Sequence, residues 1–108
     1  MSDVQQVQFT FLACADLKVV WEAIASPRDN WGVTVADNLA AAREFTAGFS
    51  RHCSLLASNP EIGPARGELQ HDVRSSRFQK YVVFYRVRGD RIEVLRVLRA
   101  ARDVEPAA

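Results

Sequence analysis

Cysteine, histidine and glycine are scarce in this chain, and each shortage removes a class of function. The two cysteines, Cys14 and Cys53, are too few for a disulfide framework. Each sits in an apolar pattern, which predicts two buried thiols. The two histidines, His52 and His71, give no metal-ligand spacing: His52 beside Cys53 lacks two further ligands, so no metal site is expected. The five glycines are scattered and form no phosphate-cradling loop, and no cofactor is implied. Apolar runs such as Tyr81–Tyr85 are far too short to cross a bilayer. Met1–Gln8 has neither the basic nor the apolar region of a signal peptide, so a cytoplasmic location is expected, with no membrane partner. Repeats, linkers and low-complexity tracts are missing too. The expectation is one domain over residues 1–108, with residues 100–108 as a C-terminal tail.

What is present is an uneven distribution of charge. Up to Pro60 the chain carries four basic residues against six acidic ones; from Asp72 to Arg102 it carries nine basic against three acidic. Eight of those nine are arginine. A guanidinium binds phosphate and carboxylate through paired hydrogen bonds, so the second half points to an anionic partner.

The hydrophobic pattern orders the elements. Val7–Phe11 alternates and reads as a strand. Asp16 is placed to cap a helix whose apolar face is Leu17, Val20, Trp21 and Ile24. Ser26-Pro27 ends it. A longer helix spans roughly Val33–Leu56, with Val35, Leu39, Ala42, Phe45, Phe49, Cys53 and Leu56 as its stripe. Gly48 inside that helix suggests a close approach to the first helix. Asn59-Pro60 stops it, and Glu61–Gln70 is a loop. Val73–Gln79 reads as a polar edge strand, Tyr81–Val87 as a central one, and Gly89-Asp90 as a hairpin turn into Ile92–Leu98. On that last strand Ile92, Val94, Arg96 and Leu98 share a face, so Arg96 is expected to be partly buried and paired with a helix carboxylate. The predicted fold is α+β: an N-terminal strand and an antiparallel helical hairpin packed on a small, mostly antiparallel sheet, in the order β-α-α-β-β-β. Trp21, Phe45, Phe49, Tyr81 and Tyr85 are the expected core aromatics.

Arg51-His-Cys-Ser-Leu-Leu-Ala-Ser-Asn-Pro-Glu-Ile-Gly63, Glu68-Leu69, Val73-Arg-Ser-Ser76, Tyr81-Val-Val-Phe-Tyr-Arg-Val87 and Ile92-Glu-Val-Leu-Arg-Val-Leu98 with Ala101-Arg-Asp103 occur in an order that resembles the RelE/ParE family of toxins, in its ParE-like branch. Asp16-Leu17, Trp21 and Ile24-Ala25 resemble that family's first helix. The likeness covers about nine-tenths of the chain. Two differences stand out: a longer helix connection, Ser26–Thr34 with Trp31, and Arg99-Ala100 where these toxins often carry histidine and glycine.

The resemblance implies the toxin of a type II toxin–antitoxin module, associated with plasmid stabilization and growth inhibition. Its partner would be a ParD-like antitoxin encoded beside it. ParE-like members are associated with poisoning DNA gyrase, and RelE-like members with ribosome-dependent cleavage of messenger RNA. Such cleavage needs a base for the 2′-hydroxyl and an acid for the leaving oxygen. RelE-like nucleases use a tyrosine near the C-terminal end, but after Tyr85 this chain has no Tyr, His or Cys. No catalytic residue is therefore assigned. The expectation is a toxin that binds gyrase, with the messenger RNA endonuclease as the alternative and no small-molecule substrate in either case. Arg99, Arg102, Arg74, Arg77 and Lys80 are the candidate contacts with target or antitoxin. A homodimer is left open.

Overall fold

A computed structural model describes residues 6–26, 35–70 and 72–100. The elements are β1 (Gln6–Phe9), α1 (Phe11–Ala25), α2 (Val35–Ser58), a single 3₁₀ turn (Pro60–Ile62), β2 (Arg74–Phe78), β3 (Tyr81–Arg88) and β4 (Arg91–Arg99). The strands form one sheet in the order β1-β4-β3-β2. β1 runs parallel to β4, and the other two pairings are antiparallel. This is the expected β-α-α-β-β-β arrangement, with β2 at one edge. Trp31 and most of the helix connection, His71, and the tail from Ala101, which includes Arg102, lie outside the described residues. No described helix is long and apolar enough to cross a membrane.

The first strand is shorter than its alternation predicts, because Thr10 starts the helix. Its hydroxyl oxygen accepts from the Ala13 N–H at 3.0 Å, and its own O–H donates to the Leu95 carbonyl at 2.9 Å. Thr10, not Asp16, is therefore the N-cap. One side chain satisfies a helix-end amide and ties the helix to the sheet. At the other end, Ser26 closes the helix on the Glu22 carbonyl, and the Asn38 side-chain amide donates to the Ser26 carbonyl at 3.2 Å, joining α1 to α2.

The core lies between the helices and one face of the sheet. α1 buries Ala13 and Val20 and packs Leu17 and Ile24 against the same cluster. Trp21 does not join them: it is 39% exposed. Each helical residue advances about 100°, so the face defined by Ala13, Leu17, Val20 and Ile24 leaves Trp21 on its flank. α2 contributes Ala42, Phe45, Phe49, Cys53 and Leu56, as its stripe predicts. Phe45, Phe49, Phe78 and Tyr81 form a cluster of edge-to-face and stacked rings with centroids 5.5–5.8 Å apart. Gly48 belongs to this contact. A β-carbon there would meet the Phe78 ring at 3.2 Å, so the close approach is to the sheet, not to the first helix. Cys14 is exposed; only Cys53 is a buried thiol, which burial pushes up to about 12.

A bulge on β4 redirects its side chains. Phe84 pairs with Arg96 and Tyr85 with Val94, leaving Leu95 as an extra residue. Simple alternation would bury Leu98 with Ile92 and Val94. Past the extra residue the phase shifts, so Val97 is buried and Leu98 is 39% exposed.

Candidate contact surface

The last strand carries the basic residues, and its open edge shows which of them are structural. β1 pairs with β4 only as far as Phe9 and Val94. Beyond that point the edge is met by the start of α1. The Asp16 carboxylate accepts from Arg96 Nε at 2.8 Å, from Arg96 Nη2 at 3.0 Å and from the Val97 backbone N–H at 2.9 Å. Arg96 is thus paired with a helix carboxylate, as expected, although the bulge that turns Leu98 outward also takes Arg96 out of phase with Ile92 and Val94. The hydrogen bonds from Arg96 hold the Asp16 carboxyl below its ordinary value, outweighing partial desolvation.

Arg74 is also committed to the fold. It lies opposite Tyr85 on β3, and its guanidinium Nη1 donates to the Gly63 carbonyl at 2.8 Å. Tyr85 is fully buried; its hydroxyl donates to the Pro60 carbonyl at 2.7 Å and accepts from the Gly63 N–H at 3.1 Å. Burial raises the Tyr85 phenol above its ordinary value. Gly63 admits no side chain: a β-carbon would lie 2.2 Å from the Ser75 carbonyl oxygen and 2.7 Å from the Tyr85 hydroxyl. Arg74, Gly63, Tyr85 and Pro60 form a lock that fixes the loop leaving α2 against the sheet.

The remaining nominated cations fall into two places. Arg77 is exposed on β2, paired in register with Val82, on the face away from the helices. On that face Arg66 lies over the Phe84 ring at 5.8 Å, and Arg86 pairs with Glu93 at 3.0 Å. Lys80 and Arg99 come together at one end of the sheet: Tyr81 is in register with Arg99, and the Ala100 N–H donates to the Lys80 carbonyl at 2.9 Å. There they border a groove of about 710 Å³ between the hairpin and the β2–β3 turn. Its apolar lining includes Ile24, Phe45, Phe78 and Tyr81, and Arg51 from α2 adds a third cation. Arg51 was not among the sequence candidates. Its signal is positional: it follows Gly48 by three residues, which places both on neighbouring turns of one helix flank.

Among the described residues, both tyrosines and His52 are engaged within the fold. Tyr81 and Tyr85 belong to the core. His52 Nε2 lies 2.8 Å from the Ser76 hydroxyl at the α2–β2 contact, its ring 5.3 Å from that of Phe78. Desolvation lowers its pKa and favours the neutral imidazole. No group of three or more possible metal ligands occurs among the described residues. What the surface offers chemically is guanidinium and ammonium groups beside aromatic and aliphatic side chains, a combination suited to acidic, partly apolar partners.

Comparison with known proteins agrees with this architecture. The family described as the ParE toxin of the type II toxin-antitoxin system parDE matches residues 7–104. Toxin ParE1 of Mycobacterium tuberculosis (strain CDC 1551 / Oshkosh) is 34% identical over 94 residues, covering 86% of this chain and 87% of that protein. A solved structure described as the chromosomal ParDE TA system from P. aeruginosa superposes with a TM-score of 0.67 at 20% identity, over 93% of this chain and 100% of the other, which establishes a shared fold. The chain therefore belongs to the ParE toxin family of type II toxin–antitoxin systems.

Proposed function

We propose that this ParE-family toxin works in the cytoplasm by binding, not by cleaving RNA, that its target is DNA gyrase, and that a cognate antitoxin encoded beside it silences it. One observation carries the choice of binding over catalysis. The tyrosine hydroxyl and the imidazole best placed to move protons are engaged within the fold, at Tyr85 with Pro60 and Gly63 and at His52 with Ser76. Of the exposed cations, Lys80 and Arg99 border the open groove, and Arg77 donates to the Gln79 carbonyl at 2.8 Å. An acid or base for 2′-hydroxyl attack would have to be within hydrogen-bond reach of its proton. Gyrase is favoured by the ParE branch of the family. For the antitoxin, the reading is an amphipathic segment that folds on binding, with apolar side chains over the helical hairpin and carboxylates toward the basic sheet.

The test runs two assays side by side. Purified toxin is mixed with gyrase and supercoiled plasmid, and separately with a translating extract carrying a reporter messenger RNA. The proposal expects cleaved or relaxed plasmid, relieved by the antitoxin, and intact message. Truncated message with undisturbed plasmid would establish the ribosome-dependent nuclease instead.

A further inference from the structure

The helices pack on one face of the sheet, and the other face is dominated by arginine. In register across that second face stand Arg77 with Val82 and Leu98, Phe84 with Arg96, Arg86 with Glu93, and Arg88 with Arg91. Arg66 reaches it from the loop before β2 and lies over the Phe84 ring at 5.8 Å. Among the described residues, these six arginines meet three carboxylates. Glu93 takes Arg86 at 3.0 Å and Arg88 at 3.9 Å, Glu68 takes Arg66, and Asp16 takes Arg96. Positive charge is left over, and Arg77 and Arg88 are exposed. The centre of the face is apolar: Val82 and Phe84 are half-buried, and Leu98 is exposed. The bulge on β4 is what turns Leu98 to this side.

We propose that this face binds single-stranded DNA, with phosphates on the arginines and bases against Val82, Phe84 and Leu98. Charge complementarity calls for a polyanion, and the apolar centre selects among polyanions. A duplex turns its phosphates outward and encloses the faces of its bases, so it would engage the arginines and leave the centre unused. A single strand presents both chemistries together. Arg66 adds a flat platform, because a guanidinium stacked on an aromatic ring offers its other side to a base. Such stacking uses the faces of bases, which all four share, so little sequence preference is expected. Space is adequate: four strands are about 14 Å across, and Val82 to Arg88 spans roughly 20 Å along β3. The choice of DNA over RNA rests on the gyrase reading above; the arginines and the apolar centre do not depend on it.

The test is fluorescence anisotropy of a labelled oligothymidylate of about 12 nucleotides, within the usual single-strand site size, titrated with the full chain. Binding should saturate and weaken with salt; roughly three surplus charges give a slope near about −2 in log affinity against log salt. Arg77→Gln with Arg88→Gln should weaken binding at least about tenfold at about 0.1 M salt and flatten that slope to about −0.7. Its melting temperature should barely move, since both side chains are exposed. Leu98→Ser should lower affinity at an unchanged slope, which separates stacking from charge. Lys80→Ala with Arg99→Ala removes equal charge from the groove instead and should change affinity by less than about twofold. No binding at low salt, or equal losses from the two double variants, overturns the proposal. So does equal affinity for the matched duplex or for a poly-glutamate peptide of the same charge, and tighter binding of oligouridylate overturns the choice of DNA. The titration contains no gyrase, so the outcomes separate: strand binding without plasmid cleavage keeps this site and removes gyrase, and the reverse keeps gyrase and removes the site.

Discussion

Removing one oxygen atom at Tyr85 should destabilise the protein more than its size suggests. Tyr85→Phe keeps the ring in the core but deletes the acceptor for the Gly63 N–H at 3.1 Å and the donor to the Pro60 carbonyl at 2.7 Å. Both partners are main-chain groups of the loop between α2 and β2, and Gly63 is buried. A net hydrogen bond contributes about 1 kcal/mol, and a buried donor left without a partner costs about 1–3 kcal/mol, so the expected loss is roughly 2–4 kcal/mol. A domain of this kind has about 5–15 kcal/mol in all, so the change removes a large share. Urea denaturation followed by circular dichroism should show the midpoint falling by about 1 M or more at an unchanged slope. Gly63→Ala should be worse still, since its β-carbon would enter within 2.2 Å of the Ser75 oxygen. Combining it with Tyr85→Phe relieves only the 2.7 Å contact with the hydroxyl and should not rescue it. A Tyr85→Phe variant within about 0.5 kcal/mol of the parent would refute the lock, because a solvated or alternatively paired Gly63 amide is the only way to avoid the cost.

Other consequences are open to measurement. The lowered Asp16 pKa means that its stabilisation is complete above its ordinary value of 3.8 and is lost as pH falls through the still lower folded value. The stability gap between parent and Asp16→Asn in urea melts should therefore be full at neutral pH and close below pH 3.8; a gap constant down to pH 2 would contradict the Arg96 pairing. Trp21→Ala should cost about 1–2 kcal/mol, below the 3–5 kcal/mol of a fully buried aromatic, since the ring is partly exposed; a thermal melt decides. Gln79 holds a φ of +57° at the β2–β3 turn, where Gly is free of strain, so Gln79→Gly should stabilise by about 0.5–1 kcal/mol, and a lower melting temperature would count against it. Lys80→Ala with Arg99→Ala should leave the melting temperature nearly unchanged, because exposed charges add little, yet weaken toxicity in a plate assay at matched expression. Full toxicity would move attention to Arg77 and its face of the sheet.

The pattern of apolar residues went far toward the fold because burial in a helix or strand imposes its own period. The stripe from Ala42 to Leu56 and the buried Tyr81, Val83 and Tyr85 of β3 are two such periods, read directly. Departures came where a single residue changes phase or hydrogen-bond partner. Leu95 adds a residue to β4 and turns Leu98 outward. Thr10 takes the cap that Asp16 was placed to fill, freeing Asp16 for Arg96. Trp21 and Cys14 sit in an apolar helix whose narrow buried face leaves them on its flank.

By itself, then, the sequence determined the element order, the α+β class, the basic second half and the ordered motifs of the ParE family, because these rest on local periodicity and composition. Tertiary structure alone decided which acceptor each arginine meets. Arg74, Arg77, Arg96 and Arg99 are alike as letters, and their spacing along two strands says little about which neighbour they meet. Folding brings the loop carbonyl of Gly63 to Arg74 and the carboxylate of Asp16 to Arg96, across eighty positions of sequence. It leaves Arg77 and Arg99 exposed, and sets Arg99 with Lys80 and Arg51 around one groove. A guanidinium's role depends on which acceptors lie within about 3 Å of it, and that distance is fixed only when strands and helices pack.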